Sequence, residues 1–283
     1  ILDSFSQDPK YYQALFTIFR ETEENHSIRL MAIIELKRQI KLHWNGFSGE
    51  FQENFLQNIP NLILGITTKE PNYHDNIADL SYNLLDLTFA DYFSTFWVNI
   101  ISEFLMSDAD HFFAGLLLLT NVLYIVKEKE YISENNPDFV EQFKSFLFEL
   151  FGRITSVFVE MELNLFLRTQ FLSTALISIQ LFPELCLHES FLPWYESYKY
   201  VFSDDSKIQV PFDCTAATYL SKLCELFIQC QIFFRETEVP FSVQYTFFCF
   251  NVMYTPLIDE DDSKSKYLLI QSIFGLFTTI SNT

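Results

Sequence analysis

Apolar residues recur along this chain at intervals of three, four and seven, in one segment after another. In SIRLMAIIELKRQIKLHW, residues 27–44, the residues Ile33, Leu36, Ile40 and Trp44 fall at i, i+3, i+7 and i+11, one stripe of an α-helix. The basic residues Lys37, Arg38 and Lys41 fall largely off that stripe. Residues 136–161 repeat the pattern with Phe139, Phe143, Phe146 and Leu150. Strict alternation, the mark of a half-buried strand, never runs beyond a few residues. The pattern predicts an all-α protein of helices about 15–22 residues long.

The helices pair. First helices are predicted to start near Asp8-Pro9, Ser48, Tyr92, Asn136-Pro137, Glu189 and Pro240, where Asp, Ser, Asn and Pro suit caps and first turns. Second helices fit at 27–44, 72–90, 108–127, 162–182, 213–232 and 264–281. The steps are about 40–50 residues, the period of HEAT-type helix pairs. No pair buries its own stripe, but stacked pairs do. The expectation is therefore one α-solenoid of about six HEAT-like helix pairs over 1–283, interrupted by the acidic loops SDDS at 203–206 and DEDDSKSK at 259–266.

Composition narrows the function. With 33 Phe and only 6 Gly, the chain has a large core to bury and few of the glycines that phosphate-binding loops use. A net charge of −19 argues against a nucleic-acid partner and for basic ones. Against that background, the concentration of Arg29, Lys37, Arg38 and Lys41 on one helix stands out. Cys186, Cys214, Cys224, Cys230 and Cys249 include no C-x-x-C pair, which fits buried thiols in a reducing compartment. HFFAGLLLLTNVLYIV, 111–126, is short of a membrane span of about 18–20 apolar residues, and a buried helix is expected there. The first residues lack the basic and apolar regions of a signal peptide, there is no initiator Met, and the last residues are still helical in pattern. A piece of a longer chain is expected.

Several landmarks come in order. Arg29, Ala32, Leu36-Lys37, Ile40 and Trp44 fit the pattern of the first-repeat second helix of importin-β-type transport receptors, with Arg38 where that pattern has Asn. ADYFSTFW, 90–97, keeps Asp91, Tyr92 and Trp97 of the next landmark but has Phe93 at the Pro position. SDADHFFAGLLLLTNVLYIVKEKEY, 107–131, is similar to the family's third repeat; with PLIDEDD at 256–262 it points to the importin-seven/eight class. The chain thus resembles the importin-β (karyopherin-β) family, with 1–131 as its N-terminal, Ran-binding region and 132–283 as further HEAT repeats.

The resemblance implies a nuclear transport receptor that shuttles between cytoplasm and nucleus. Its partners would be GTP-loaded Ran, basic cargo such as ribosomal proteins or histones, and Phe-Gly nucleoporins held between outer helices. It implies a Ran contact through second helices, at Arg29, Lys37, Arg38, Lys41, Asp75, Asp79 and Lys127. Asp259, Glu260, Asp261 and Asp262 are the candidate cargo or interaction loop. The plainer expectation for the basic residues is a solvated helix face, or pairing with acidic groups of the same chain. Trp44, Trp97 and the Phe stripes are expected in the core. Scattered His and Cys offer no four-ligand zinc spacing, and no G-x-S-x-G elbow or EF-hand loop occurs, so neither an enzyme, a cofactor nor a metal is expected. The alternatives are a HEAT-repeat structural scaffold without Ran binding and a membrane-associated helical protein using 111–126.

Overall fold

A computed structural model describes residues 8–21, 25–67, 73–129, 137–160, 165–189, 191 and 214–231, with isolated positions between 267 and 278. The architecture is all-α, and no strand occurs among the described residues. Two compact units divide the chain, Ile1–Glu130 and Tyr131–Thr283.

Unit 1 contains α1 (Pro9–Arg20), α2 (His26–His43), α3 (Gly49–Thr67), α4 (His74–Tyr92), α5 (Val98–Leu105) and α6 (Ala109–Glu128). Its boundaries follow local chemistry. Asp8 accepts from the Lys10 N–H at 2.9 Å, with Pro9 at the first helical position. Asn25 caps α2 through the Ser27 N–H at 2.8 Å. Asp108 caps α6 through the N–H groups of Asp110 and His111 at 3.1 and 3.0 Å. Ser48 accepts from the Phe51 N–H at 3.3 Å at the start of α3.

One expected helix start is not a start. Tyr92 is the last residue of α4, and the chain continues through a π-turn, Phe93–Trp97, into the short α5. The cause is Phe93: unlike Pro, it has an N–H, which donates to the Phe89 carbonyl and prolongs the helix. The π-turn brings Trp97 back over α4. Its Nε1 donates to Thr88 Oγ1 at 2.9 Å, and Thr88 Oγ1 donates to the Leu84 carbonyl at 2.6 Å. Trp97 is wholly buried, and Phe89 and Phe93 stack at 4.6 Å.

The predicted stripe of α2 is the buried one: Ile33, Leu36 and Ile40 are inaccessible and Trp44 is 3 % exposed. It packs on α1 and on α4, and α4 packs in turn on α6. α6 is by length and composition apolar enough to cross a membrane, and 67 % of its apolar window is buried inside the protein. Its face toward α5 turns on Gly115, where an added Cβ would lie 2.8 Å from Leu105 Cγ and 3.0 Å from the Leu105 backbone nitrogen.

Unit 2 contains α7 (Pro137–Glu160), α8 (Leu165–Leu181), a 3-10 turn (Pro183–Leu187) and α9 (Cys214–Gln231). α7 and α8 join through the Phe151 and Phe171 rings, 5.8 Å apart. Phe143 and Leu150 of the predicted stripe are buried, and Phe139 and Phe146 are half-buried. Lys144 pairs with Glu184 at 2.6 Å. α9 packs on α8 with the stripe Tyr219, Leu223, Leu226 and Cys230. The expected helix starts at Glu189 and Pro240 lead into segments outside the described residues, as does nearly all of 264–281.

Gly115→Ala is expected to destabilise the protein by about 1–3 kcal/mol, because overpacking against backbone outweighs the gain in helix propensity. Urea denaturation checks this; an unchanged or raised midpoint would contradict the close approach at Leu105.

Candidate functional site

The second helices α2, α4 and α6 form a parallel row whose polar ties recur at one repeat length. Lys37 Nζ on α2 reaches Asp79 Oδ2 on α4 at 2.9 Å, 42 residues on, and also Asn76 Oδ1 at 3.0 Å. Asn121 on α6 donates to the Ala78 carbonyl of α4 at 3.0 Å, 43 residues back. Lys129 pairs with Asp86 at 2.5 Å, and the Tyr82 hydroxyl donates to Glu128 at 2.5 Å. At the other end of the row, the Tyr73 hydroxyl meets His26 Nδ1 at 2.7 Å.

The basic residues of α2 go to different places. Arg29 is 5 % exposed. Its Nε donates to the Phe19 carbonyl at 2.9 Å, and its guanidinium lies over the Tyr73 ring at 4.8 Å and the Phe19 ring at 5.7 Å. Arg29 thus lies among the candidate contact residues in sequence but not at the surface: it satisfies a carbonyl in the last turn of α1, where a cation also meets the helix dipole. Its position, four residues before Ile33, puts it close to the buried stripe, and that phase takes it inward. Lys37 is mostly covered and bridges α2 to α4.

Arg38 and Lys41 are exposed. Arg38 grips Glu35 with two bonds, Nε to Oε2 at 3.0 Å and NH2 to Oε1 at 2.9 Å. That grip holds the Glu35 carboxyl far below the usual carboxylate range, at about 2; donors from Gln39 (2.7 Å) and Tyr11 (3.3 Å) add to it against the opposing effect of burial. Tyr11 belongs to α1, so Glu35 links the first two helices as well as ordering Arg38.

Of the remaining candidates, Asp75 and Asp79 are exposed on α4 and Lys127 on α6. The structure joins Lys37 to Asp79. Among the described residues, no hydrogen bond or ion pair joins Lys41, Asp75 or Lys127 to the others. Asp259, Glu260, Asp261 and Asp262 lie outside the described residues. Among the described residues no group of three or more His, Cys, Asp and Glu gathers as a metal site.

Two features went unread in the sequence. Ile28, Met31 and Ile34 stand on the exposed side of α2, at 49, 71 and 48 % exposure, so the outward face is apolar in its first half and basic in its second. The signal was present, since these residues fall off the Ile33–Trp44 stripe. The other feature is a groove of about 300 Å³ between the first helices α1 and α3. It is lined by Phe16, Phe51 and Phe55 with Gln13, Thr17, Asn54 and Asn58, and Arg20 stands over the Phe16 ring at 5.6 Å.

Comparison with known proteins gives one match. Residues 1–64 match the family model of the importin-beta N-terminal domain. No curated protein and no solved structure matches the chain. The matched segment comprises α1, α2 and most of α3, and it supports a relation of this part of the chain to the importin-beta family.

Two predictions follow from this geometry. Arg29→Ala is expected to cost about 2–4 kcal/mol, from a lost charged hydrogen bond and lost stacking on two rings, whereas Lys41→Glu is expected to stay within about 0.5 kcal/mol. Equal effects in urea denaturation would contradict the division into inner and outer basic residues. Glu35 has a folded pKa below its unfolded value of 4.5, so its contribution is present above pH 4.5 and fades as pH falls toward about 2. Glu35→Gln is therefore expected to flatten the loss of stability over that acid window; an unchanged slope would contradict the Glu35–Arg38 grip.

Proposed function

We propose that the chain is the N-terminal part of a nuclear transport receptor, that GTP-loaded Ran docks on the outward faces of α2, α4 and α6, and that the whole protein shuttles basic cargo through nuclear pores. The observation that carries this reading is the importin-beta N-terminal match over residues 1–64, since that domain is the family's Ran-binding module. The exposed face of α2 supports it. Arg38 and Lys41 supply positive charge to an otherwise strongly acidic protein, and Met31 and Ile34 beside them supply apolar area to bury. Asp75, Asp79 and Lys127 extend the contact to α4 and α6, while Lys37 positions those helices and Arg29 supports α2 from within.

The rest of the reading follows the same family. The net charge of −19 suits basic cargo such as ribosomal proteins or histones, with 259–262 as a further acidic contact. The α1–α3 groove, lined by three Phe rings together with amide side chains, suits the Phe side chains of Phe-Gly nucleoporins. Cargo release requires that Ran and cargo favour different conformations, because a ligand shifts an equilibrium only by its differential affinity. The importin-seven/eight class remains the proposed subclass, from 107–131 and 256–262. Neither nucleic acid nor membrane insertion has a part in this mechanism.

The test is titration of the chain with Ran loaded with GTP and, separately, with GDP. Binding to the GTP form alone is expected, weakened about 10-fold or more by paired Arg38→Glu and Lys41→Glu, which places like charge where opposite charge stood. Equal binding to both forms, or none, would replace this reading with a HEAT-repeat scaffold held in a stable assembly.

A further inference from the structure

Two thiols in unit 2 stand apart from the surfaces used above. Cys186 lies in the 3-10 turn after α8, and Cys230 ends the buried stripe of α9. Their sulfur atoms are 3.9 Å apart although the residues are 44 positions apart in sequence. Both are buried, at 1 and 0 % exposure, and neither is in a disulfide. A buried thiol alone is a small apolar side chain. Two in van der Waals contact on separate elements can be cross-linked once two hydrogens are removed and the sulfurs move together to the roughly 2 Å of a disulfide.

We propose that Cys186 and Cys230 form a reversible disulfide on exposure to a peroxide, locking the turn after α8 to the last turn of α9. Cys186 is the attacking group. The hydrogen bond from Cys230 holds its pKa below that of an ordinary thiol, against the opposing effect of burial. The Cys186 thiolate attacks the peroxide: an S–O bond forms, the O–O bond breaks, and the departing hydroxide takes up the released proton as water. Cys230 sulfur then attacks the sulfenic acid. The S–S bond forms, the S–O bond breaks, and hydroxide leaves with the Cys230 proton as a second water. The two thiols are oxidised by two electrons and hydrogen peroxide is reduced to two waters. Burial makes oxidation slow, since the peroxide enters only when the turn opens locally. Once closed, the bond ties a loop that spans about one repeat and narrows the unfolded ensemble.

The test uses the full chain and hydrogen peroxide, followed by alkylation under denaturing conditions and peptide mapping. The expected result is an intramolecular Cys186–Cys230 peptide pair, restored to free thiols by dithiothreitol, with a melting temperature raised by roughly 5–10 °C. Cys230→Ser is expected to abolish both; the mapping of the unmutated chain stands even if that variant fails to fold. Full alkylation of both cysteines after peroxide treatment would overturn the proposal, as would pairing of either with Cys214, Cys224, Cys249 or a second chain.

Discussion

Unit 1 depends on the parallel row of α2, α4 and α6. Apolar burial draws these helices together, but it is non-directional and leaves them free to slide along one another. The ties from Lys37 to Asp79 and Asn76, from Asn121 to the Ala78 carbonyl, and from Lys129 to Asp86 remove that freedom. Their sequence separation of about one repeat is the signature of parallel neighbours in a stacked array. The first helices attach to this row: α1 through Arg29 and the Tyr11–Glu35 hydrogen bond, and α5 through the close approach at Gly115.

Helix α2 explains why an acidic chain concentrates basic residues in one place. Position on the helix decides the fate of each. Arg29 falls inward and holds the end of α1; Lys37 falls at the border and reaches α4. Arg38 and Lys41 fall outward, and Arg38 is held in place by a carboxylate that stays ionised to low pH. Two of these residues therefore build the platform, and two are presented on it. Of the outward pair, Arg38 is the one whose geometry is fixed, by its two bonds to Glu35.

Much of this was legible in the sequence. The helix positions follow from the 3.6-residue period and from start signals such as Asp8-Pro9 and Ser48; the caps Asn25 and Asp108 emerged only with the structure. The core residues Ile33, Leu36, Ile40 and Trp44 follow from the same period, and Trp97 from its size and apolarity. What escaped is of two kinds. The course of the chain after Tyr92 depends on a single missing proline, and its outcome rests on Trp97 finding Thr88, a contact that spacing alone does not announce. The inward turn of Arg29 depends on the aromatic rings of Phe19 in α1 and Tyr73 at the start of α4, and charge argued for the opposite direction. Sequence period reports which side of a helix is buried; it reports little about which polar residue at the margin finds a partner inside.

The spacing of the polar ties also makes the array local in its energetics. Each tie joins helices that are neighbours in the array, and none of the three reaches past its neighbour. In an array bonded in this way stability is a sum of local terms, each shared by one helix and its neighbour. Lys37, Asn121 and Lys129 thus each fasten one helix of the row to the next, so a change at one of them is felt first by its immediate neighbours.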